Sequence, residues 1–139
     1  MTHHRLLAAF VIVLALGSTA AGQGRSAEEE HIRALVQTFA DARNAHDGAA
    51  VAVLYTEDGQ WISNSGSLTV SGRPALARLW GRLSGHVRRT FDSVDFVAGN
   101  LAVVRVVTHY AEPLGRHGET FVFVKDQGRW SIRVHQSID

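Results

Sequence analysis

The end of the chain carries side chains that can bind a ligand or transfer a proton. Its last residues, GRWSIRVHQSID, begin as a strand with an apolar residue at every second position and then place His135, Gln136 and Ser137 in succession. An imidazole can act as an acid or a base near neutral pH, and a glutamine amide can hydrogen-bond a ligand. Polar residues at the end of an otherwise apolar strand predict the mouth of a pocket.

The alternation of this strand determines which polar residue we expect to face inward. Pairing across the turn DQGR places Lys125 opposite Trp130 and therefore Phe123 opposite Ile132, and the side of Phe123 and Ile132 must be the core. Continuing the period of two from Ile132 turns Gln136 inward and His135 outward. One β-bulge would reverse both orientations. We therefore prefer Gln136 as the pocket residue and keep His135 as a second candidate.

The other histidines do not indicate a metal site. They lack the i, i+4 spacing of a helical metal pair, and none stands beside a carboxylate in a recognised ligand motif: His31, His46, His86, His109 and His117. The chain contains no cysteine, which excludes thiol chemistry and cysteine metal sites. We therefore predict neither a metal nor a cofactor.

Three helices are expected before most of the strands. Apolar residues in 28–46 recur with the spacing of one helical face. Asp47 is better explained as the N-cap of a second helix, over 48–55, than as a catalytic group. Pro74 suits the first turn of a third helix, over 73–83.

The remaining pattern predicts strands. TEDG indicates a turn, QWISN a short first strand, and the chain after Gly85 a run of antiparallel strands over 87–97, 101–113, 119–125 and 130–138. Arg88 and Arg89 are interpreted as surface or dimer-face residues. Helices followed by antiparallel strands, in a chain of this length, indicate one domain of the α+β class.

The first residues have the three-part form of a secretory signal peptide. Arg5 precedes the apolar run Leu6 to Leu16, and small residues follow. The run is too short to span a bilayer. We expect a signal peptide over 1–22 and a mature domain over 23–139 that is secreted or periplasmic, with no stable membrane anchor after cleavage.

The charge of the mature chain does not predict a nucleic-acid partner. The sequence has 14 Lys plus Arg and 13 Asp plus Glu, and loss of Arg5 with the signal peptide leaves 13 against 13. A nucleic-acid-binding domain normally shows a basic excess or a basic stripe. We expect a small molecule as the partner.

Three segments resemble the nuclear transport factor two-like superfamily, in particular its SnoaL-like and SgcJ/EcaC-like branches. They are RNAHD between the first two helices, LYTEDGQW before and within the first strand, and GRWSI with the following glutamine in the last strand. The resemblance spans residues 28–138. It implies a cone-shaped fold, in which three N-terminal helices pack on a strongly curved antiparallel sheet and leave a cavity open at one end.

The resemblance does not bring known catalytic residues with it. In steroid isomerases of this superfamily a tyrosine donates a proton and an aspartate transfers one; the corresponding positions here are Phe39 and Ser63. A phenylalanine has no proton to donate, and a serine hydroxyl is not a base near neutral pH. The epoxide hydrolase pattern of arginine and two aspartates meets Val106 and Thr108 instead. No catalytic residue is assigned.

An apolar pocket with a few polar points is the usual form of a small-molecule site. The candidate pocket residues combine aromatic side chains with polar groups: Tyr55, Trp61, Ser63, Trp80, Thr108, Tyr110, Gln136 and His135. We also expect a homodimer through the outer face of the sheet, because that face carries several apolar residues: Val103, Val107, and Phe96 or Val94.

The preferred function is an exported, non-catalytic module that binds an apolar small molecule or serves as a dimer. The alternative is an isomerase, cyclase or dehydratase acting on a polyketide-like or steroid-like molecule, with Tyr55, His135 or Gln136 in new roles. The missing acid, base and oxyanion donor of the known enzymes favour the first interpretation.

Overall fold

The structure, a computed structural model, describes residues 16–111 and 115–138. The helices are α1 (Leu16–Asn44), α2 (Gly48–Ala52) and α3 (Arg73–Arg82). The strands are β1 (Tyr55–Ile62), β2 (Thr69–Ser71), β3 (Val87–Ala98), β4 (Leu101–Tyr110), β5 (Arg116–Asp126) and β6 (Arg129–Ile138). The predicted α+β class is confirmed.

All six strands form one curved sheet in the order β2-β1-β6-β5-β4-β3. Neighbouring strands are antiparallel except β1 and β6, which run parallel because the last strand inserts between the first strand and β5. The helices cover one face of the sheet, and the core lies between the two layers. Its large members come from both: Ile32, Val36, Phe39, Leu76, Trp80, Val104, Val106, Phe121, Phe123 and Ile132.

The start of α2 follows the sequence prediction. The Asp47 carboxylate accepts a hydrogen bond of 2.9 Å from the Ala50 amide, which confirms its role as N-cap. Gly48 lets α2 approach α3 closely, since a Cβ there would lie 2.0 Å from the Ala77 carbonyl oxygen. The helix ends before 55, however, because Tyr55 enters β1 and pairs with β6.

The N-terminal half of α1 is tied to the sheet by one carboxylate. Glu28 accepts a hydrogen bond of 2.6 Å from Lys125 Nζ and another from the Trp130 indole nitrogen. Lys125 and Trp130 pair across the β5–β6 turn, as the sequence predicts. The contact therefore joins the helix to the hairpin that carries the last strand.

The TEDG segment lies within β1, not between elements. Its residues coincide with a register shift against β6, between Tyr55 and Gln60. At Gly59 a Cβ would lie 2.9 Å from Tyr55 Cβ and 3.0 Å from the Ile132 carbonyl oxygen. The predicted turn is thus an irregularity inside a strand, placed where the backbone has no room for a side chain.

A bulge in β6 reverses the expected orientation of its last residues. Val122 pairs with Val134, whereas the next residue, Phe123, pairs with Ile132, so Arg133 is an extra residue in β6. His135 consequently lies opposite Phe121 and is fully buried.

Gln136 lies on the outer face of the sheet, opposite Thr120, and is only partly buried. The inward orientation predicted for Gln136 and the outward orientation predicted for His135 are both wrong, because simple alternation does not survive an inserted residue. Arg133 is held outside by Asp58: Nη1 donates to the Asp58 carbonyl oxygen at 2.6 Å, and Nη2 lies 3.2 Å from the carboxylate.

The outer face of the sheet carries an apolar row. Val103 pairs with Val122, and Val122 pairs with Val134, so three valines lie side by side on β4, β5 and β6. Phe96 and Val94, which the sequence offered for this face, are partly buried against the core instead. The register shifts of β3 account for this difference from simple alternation.

The export prediction falls mostly on residues outside those described. The run Leu6 to Leu16 reaches them only at its last residue. Among the described residues, no helix has the length and hydropathy needed to cross a bilayer.

Candidate active site

A buried carboxylate organises the polar groups of the interior. Glu119, on β5, accepts hydrogen bonds at Oε2 from Arg89 Nε and Thr108 Oγ1, both of 2.7 Å. Its Oε1 lies 3.2 Å from Nε2 of His117. The side chains of Arg89 and Glu119 are only 1% and 3% exposed, so three neighbouring strands bring a desolvated ion pair into the core.

The electrostatics of this pair keep the carboxylate ionised. Burial by itself would raise the pKa of Glu119, but the positive charge of Arg89, supported by His135 and His117, holds that pKa well below its ordinary value. The Arg89 guanidinium carbon lies 4.6 Å from the centre of the Phe39 ring, and both of its Nη atoms are buried with no hydrogen-bond partner among the described residues. Glu119 is therefore the partner on which the buried cation depends.

His135 lies beside this pair, inside an aromatic stack. Its ring stacks on Phe121, with centroids 4.0 Å apart, and on Trp80, with centroids 5.5 Å apart. Nδ1 lies 3.0 Å from the Tyr55 hydroxyl, and Nε2 is 3.6 Å from Glu119 Oε2, beyond hydrogen-bond distance.

Burial sets the protonation of this His135–Tyr55 pair. It lowers the pKa of His135, and the attraction of Glu119 opposes that shift only in part. Burial also raises the pKa of the Tyr55 phenol well above its ordinary value. Tyr55 thus keeps its proton, and its hydroxyl can donate a hydrogen bond to Nδ1 of a neutral imidazole.

A pocket of about 320 Å³ opens at one end of the sheet, where β1, β4, β5 and β6 meet the end of α1 and the segment after α3. Nine residues line it: Arg43, Trp61, Ser63, Asn64, Leu83, Ser84, Tyr110, His117 and Ser137. The His117 side chain is 23% exposed, and the same ring contacts Glu119. His117 therefore connects the pocket to the buried ion pair.

Tyr110 stands next to His117 in the pocket wall. Its hydroxyl lies 3.5 Å from His117 Nε2, and their ring centroids are 5.1 Å apart. Burial, and then the charge of Glu119, raises the pKa of the Tyr110 phenol. Tyr110 is therefore protonated near neutral pH and can donate a hydrogen bond into the pocket.

The RNAHD segment fixes the rim of the pocket. Arg43 Nη1 donates to the Gly85 carbonyl oxygen at 2.7 Å, and His46 Nδ1 lies 3.0 Å from the Leu83 carbonyl oxygen. The Asn44 amide accepts from the Val87 amide and donates to its carbonyl, both at 2.8 Å. These contacts hold the segment between α3 and β3, so the motif positions one wall of the site.

The predicted pocket residues divide into three groups. Three line the open pocket: Trp61, Ser63 and Tyr110. Four are packed in the interior: Tyr55, Trp80, Thr108 and His135. Gln136 lies outside, on the opposite face of the sheet, which corrects the site as predicted.

Sequence reasoning missed Arg43, Arg89, His117 and Glu119. Two of them were accessible by alternation: Glu119 has the parity of Phe121, and Arg89 has the parity of Val87 and Phe91. The interpretation of Arg89 as a surface residue is wrong, because a carboxylate two strands away permits its burial. His117 shares the parity of Glu119, and Arg43 follows Phe39 at helical spacing, but these patterns indicate an inward side chain and do not distinguish a pocket wall from the core.

The described residues include no group of three or more His, Asp or Glu side chains arranged to hold a metal ion.

The protein is an α+β domain in which helices pack on one face of a curved sheet and a pocket opens at one end. The profile of the SnoaL-like domain matches residues 36–136. The chain therefore belongs to the SnoaL-like family, within the nuclear transport factor two-like fold, and the predicted resemblance is confirmed at this level. Its assignment to the SgcJ/EcaC-like branch stays a prediction.

Solved structures support the fold. A domain of unknown function with a cystatin-like fold from Nostoc punctiforme is 24% identical with a TM-score of 0.72, over 81% of this chain and 76% of that one. A nuclear transport factor two-like protein from Novosphingobium aromaticivorans is 19% identical with a TM-score of 0.71, over 91% of each chain. A ketosteroid isomerase-like protein from Erwinia carotovora atroseptica is 22% identical with a TM-score of 0.66, over 78% of this chain and 94% of that one. No curated protein matches the chain.

Proposed function

We propose that this domain is an enzyme that transfers a proton on a small molecule bound in the pocket, as isomerases, cyclases and dehydratases do. The observation that carries the proposal is His117, which lines the pocket and lies 3.2 Å from the ionised Glu119. A histidine oriented by a buried carboxylate is a recurring form of general base. Glu119 fixes the ring proton on Nε2 and leaves Nδ1 as the basic nitrogen.

Tyr110 supplies the complementary group. Removing a proton beside a carbonyl places negative charge on the carbonyl oxygen, and a positioned hydroxyl stabilises that charge. The raised pKa of Tyr110 keeps its proton available, and the hydroxyl lies beside His117 in the same wall. Base and oxyanion donor are thus adjacent.

This arrangement differs from that of steroid isomerases. The residues here at the isomerase positions are Phe39, buried in the core, and Ser63, which accepts a hydrogen bond from the Leu68 amide at the pocket mouth. His117 and Tyr110 would do the same class of chemistry from the other side of the pocket. The volume of about 320 Å³ is near the lower end for small-molecule sites, which favours a ligand of one or two rings.

Proton exchange tests the proposal without knowledge of the natural substrate. The bicyclic ketone 1-tetralone is incubated with the protein in D₂O, and loss of its α-proton signal is followed by NMR. We expect the parent protein to accelerate exchange and His117→Gln to reduce that acceleration about 100-fold. His86→Gln, at an exposed position, is the control. Exchange at the buffer rate, or equal exchange with His117→Gln, refutes the proposal.

A non-catalytic binding domain is the second candidate, favoured by the loss of both steroid isomerase groups at Phe39 and Ser63. Such a domain would bind 1-tetralone without accelerating exchange. The two functions therefore differ in one measurement, exchange at saturating ligand.

A further inference from the structure

We propose that the pocket selects ligands that carry a carboxylate, and that Arg43 holds this group. The inference deepens the proposed function, on which it rests for the choice of pocket. It concerns binding, so it can be tested separately from catalysis.

The charges of the pocket wall favour an anion. Among the nine lining residues that the structure describes, Arg43 is the one permanent cation, and none of these nine is acidic. Glu119 contacts His117 from the interior of the protein and is paired with Arg89. Among the described residues around the site, two arginines and one glutamate leave a net charge of at least +1, which attracts an anion.

Arg43 is a buried cation whose direct contacts are with neutral groups, Tyr110 and the Gly85 carbonyl, and which the charge of Glu119 attracts without a salt bridge among the described residues. It is only 4% exposed, and its Nη1 donates to the neutral carbonyl oxygen of Gly85. In the described ranges, 16–111 and 115–138, no salt bridge joins Arg43 to a carboxylate. Burial lowers the pKa of Arg43, yet a guanidinium remains protonated in proteins. A buried cation is costly when no anion contacts it, so a ligand carboxylate bound at Arg43 would supply the opposite charge that the described residues do not place there.

Arg43 is also placed to orient a substrate. Its guanidinium carbon lies 5.6 Å from the centre of the Tyr110 ring, and the Tyr110 hydroxyl lies 3.5 Å from His117. A carboxylate held by the planar guanidinium would fix the ligand at one end, with its reacting carbon directed to the neighbouring His117. The expected substrate class is a carboxylic acid with one or two rings and an acidic C–H or a leaving hydroxyl.

The test compares two ligands of the same shape, 2-naphthoate and 2-naphthamide, by isothermal titration calorimetry at low ionic strength. We expect the parent protein to bind the carboxylate at least about tenfold more tightly than the amide. Arg43→Met should weaken binding of the carboxylate at least about tenfold more than binding of the amide, which removes the difference between the two ligands. Arg88→Met removes an exposed arginine and should keep the preference.

Several results would overturn the inference. They are equal binding of the two ligands by the parent, absence of 2-naphthoate binding up to about 10 mM, and a preference that survives Arg43→Met. Equal loss of both ligands in Arg43→Met also overturns it, because Arg43 would then only support the wall through Gly85. A carboxylate preference without His117-dependent proton exchange would refute the proposed function alone.

Discussion

Glu119→Gln should be among the most destabilising single changes in this protein. The substitution keeps the size of the side chain but removes the charge that compensates Arg89. Arg89 is 1% exposed and both of its Nη atoms already lack partners, so the variant leaves a buried cation with only a neutral amide at 2.7 Å from Nε.

The expected loss follows from the burial of both partners. Removing one partner of a buried ion pair costs about 3–5 kcal/mol, a large fraction of the 5–15 kcal/mol that stabilises an ordinary domain. For a domain of this size the loss corresponds to a decrease in Tm of about 10–20 °C. Replacing both charges, in Arg89→Met with Glu119→Leu, should recover at least half of the lost free energy of unfolding.

Urea unfolding, followed by tryptophan fluorescence, measures both variants. Glu57→Gln, at an exposed position, is the control and should change the free energy of unfolding by less than about 0.5 kcal/mol. The reasoning is refuted if Glu119→Gln costs less than about 1 kcal/mol, or if the double variant is less stable than the single one.

The pH dependence gives a second measurement of the same interaction. The pKa of Glu119 is lower in the folded state, so its stabilisation is present above the ordinary value of 4.5 and is lost as pH falls through the lowered pKa. The difference between the parent and Glu119→Gln should therefore persist at neutral pH and shrink only in strong acid.

Four further predictions concern stability, assembly and export. The pKa of His135 is lowered in the folded state, so the unfolded chain binds more protons below about pH 6.5, and the free energy of unfolding should fall by up to about 2 kcal/mol between pH 7 and 5. Urea midpoints measured over this range should depend less on pH in His135→Gln than in the parent. An equal pH dependence in the two proteins would contradict the role given to His135. Gly48→Ala should lower the free energy of unfolding by about 2–3 kcal/mol, since its Cβ would lie 2.0 Å from the backbone of α3. Gly99→Ala is the control: its Cβ would have no atom within 4 Å, and the free energy of unfolding should not change in the same assay. Light scattering at micromolar concentration should give the mass of a dimer, and Val122→Asp, in the apolar row, should reduce it to that of a monomer. Val97→Asp, at an exposed position, is the control and should remain dimeric. A monomeric mass for the parent protein would contradict this prediction. The intact mass of the exported protein should correspond to a chain that begins near Gln23. A mature form that retains the apolar run from Leu6 to Leu16 would identify this run as a membrane anchor.

The sequence predicted the features that depend on local chemistry. Asp47 before an alanine-rich run predicts a cap, and the structure has that hydrogen bond. Pro74 lies in the first turn of α3 as expected. The sequence likewise predicts that Lys125 pairs with Trp130 across a tight turn, and the structure has this pair.

The orientation of the last strand could not be derived in this way. Period-two reasoning is correct up to Ile132, but the extra residue Arg133 is accommodated by contacts with Asp58, 75 positions earlier in the chain. The burial of Arg89 likewise depends on Glu119, 30 positions away. Both errors concern residues whose location is decided by partners distant in sequence.

The bulge at Arg133 also has an evolutionary consequence. Loss of this single codon would leave Val134 opposite Val122 and His135 opposite Phe121, because the residue removed is the unpaired one. A regular strand that kept Arg133 would instead pair Val134 with Phe121 and carry His135 to the outer face. A one-residue deletion could therefore make the strand regular without changing the side chain beside Glu119, whereas loss of the bulge with Arg133 retained would remove the imidazole from the interior.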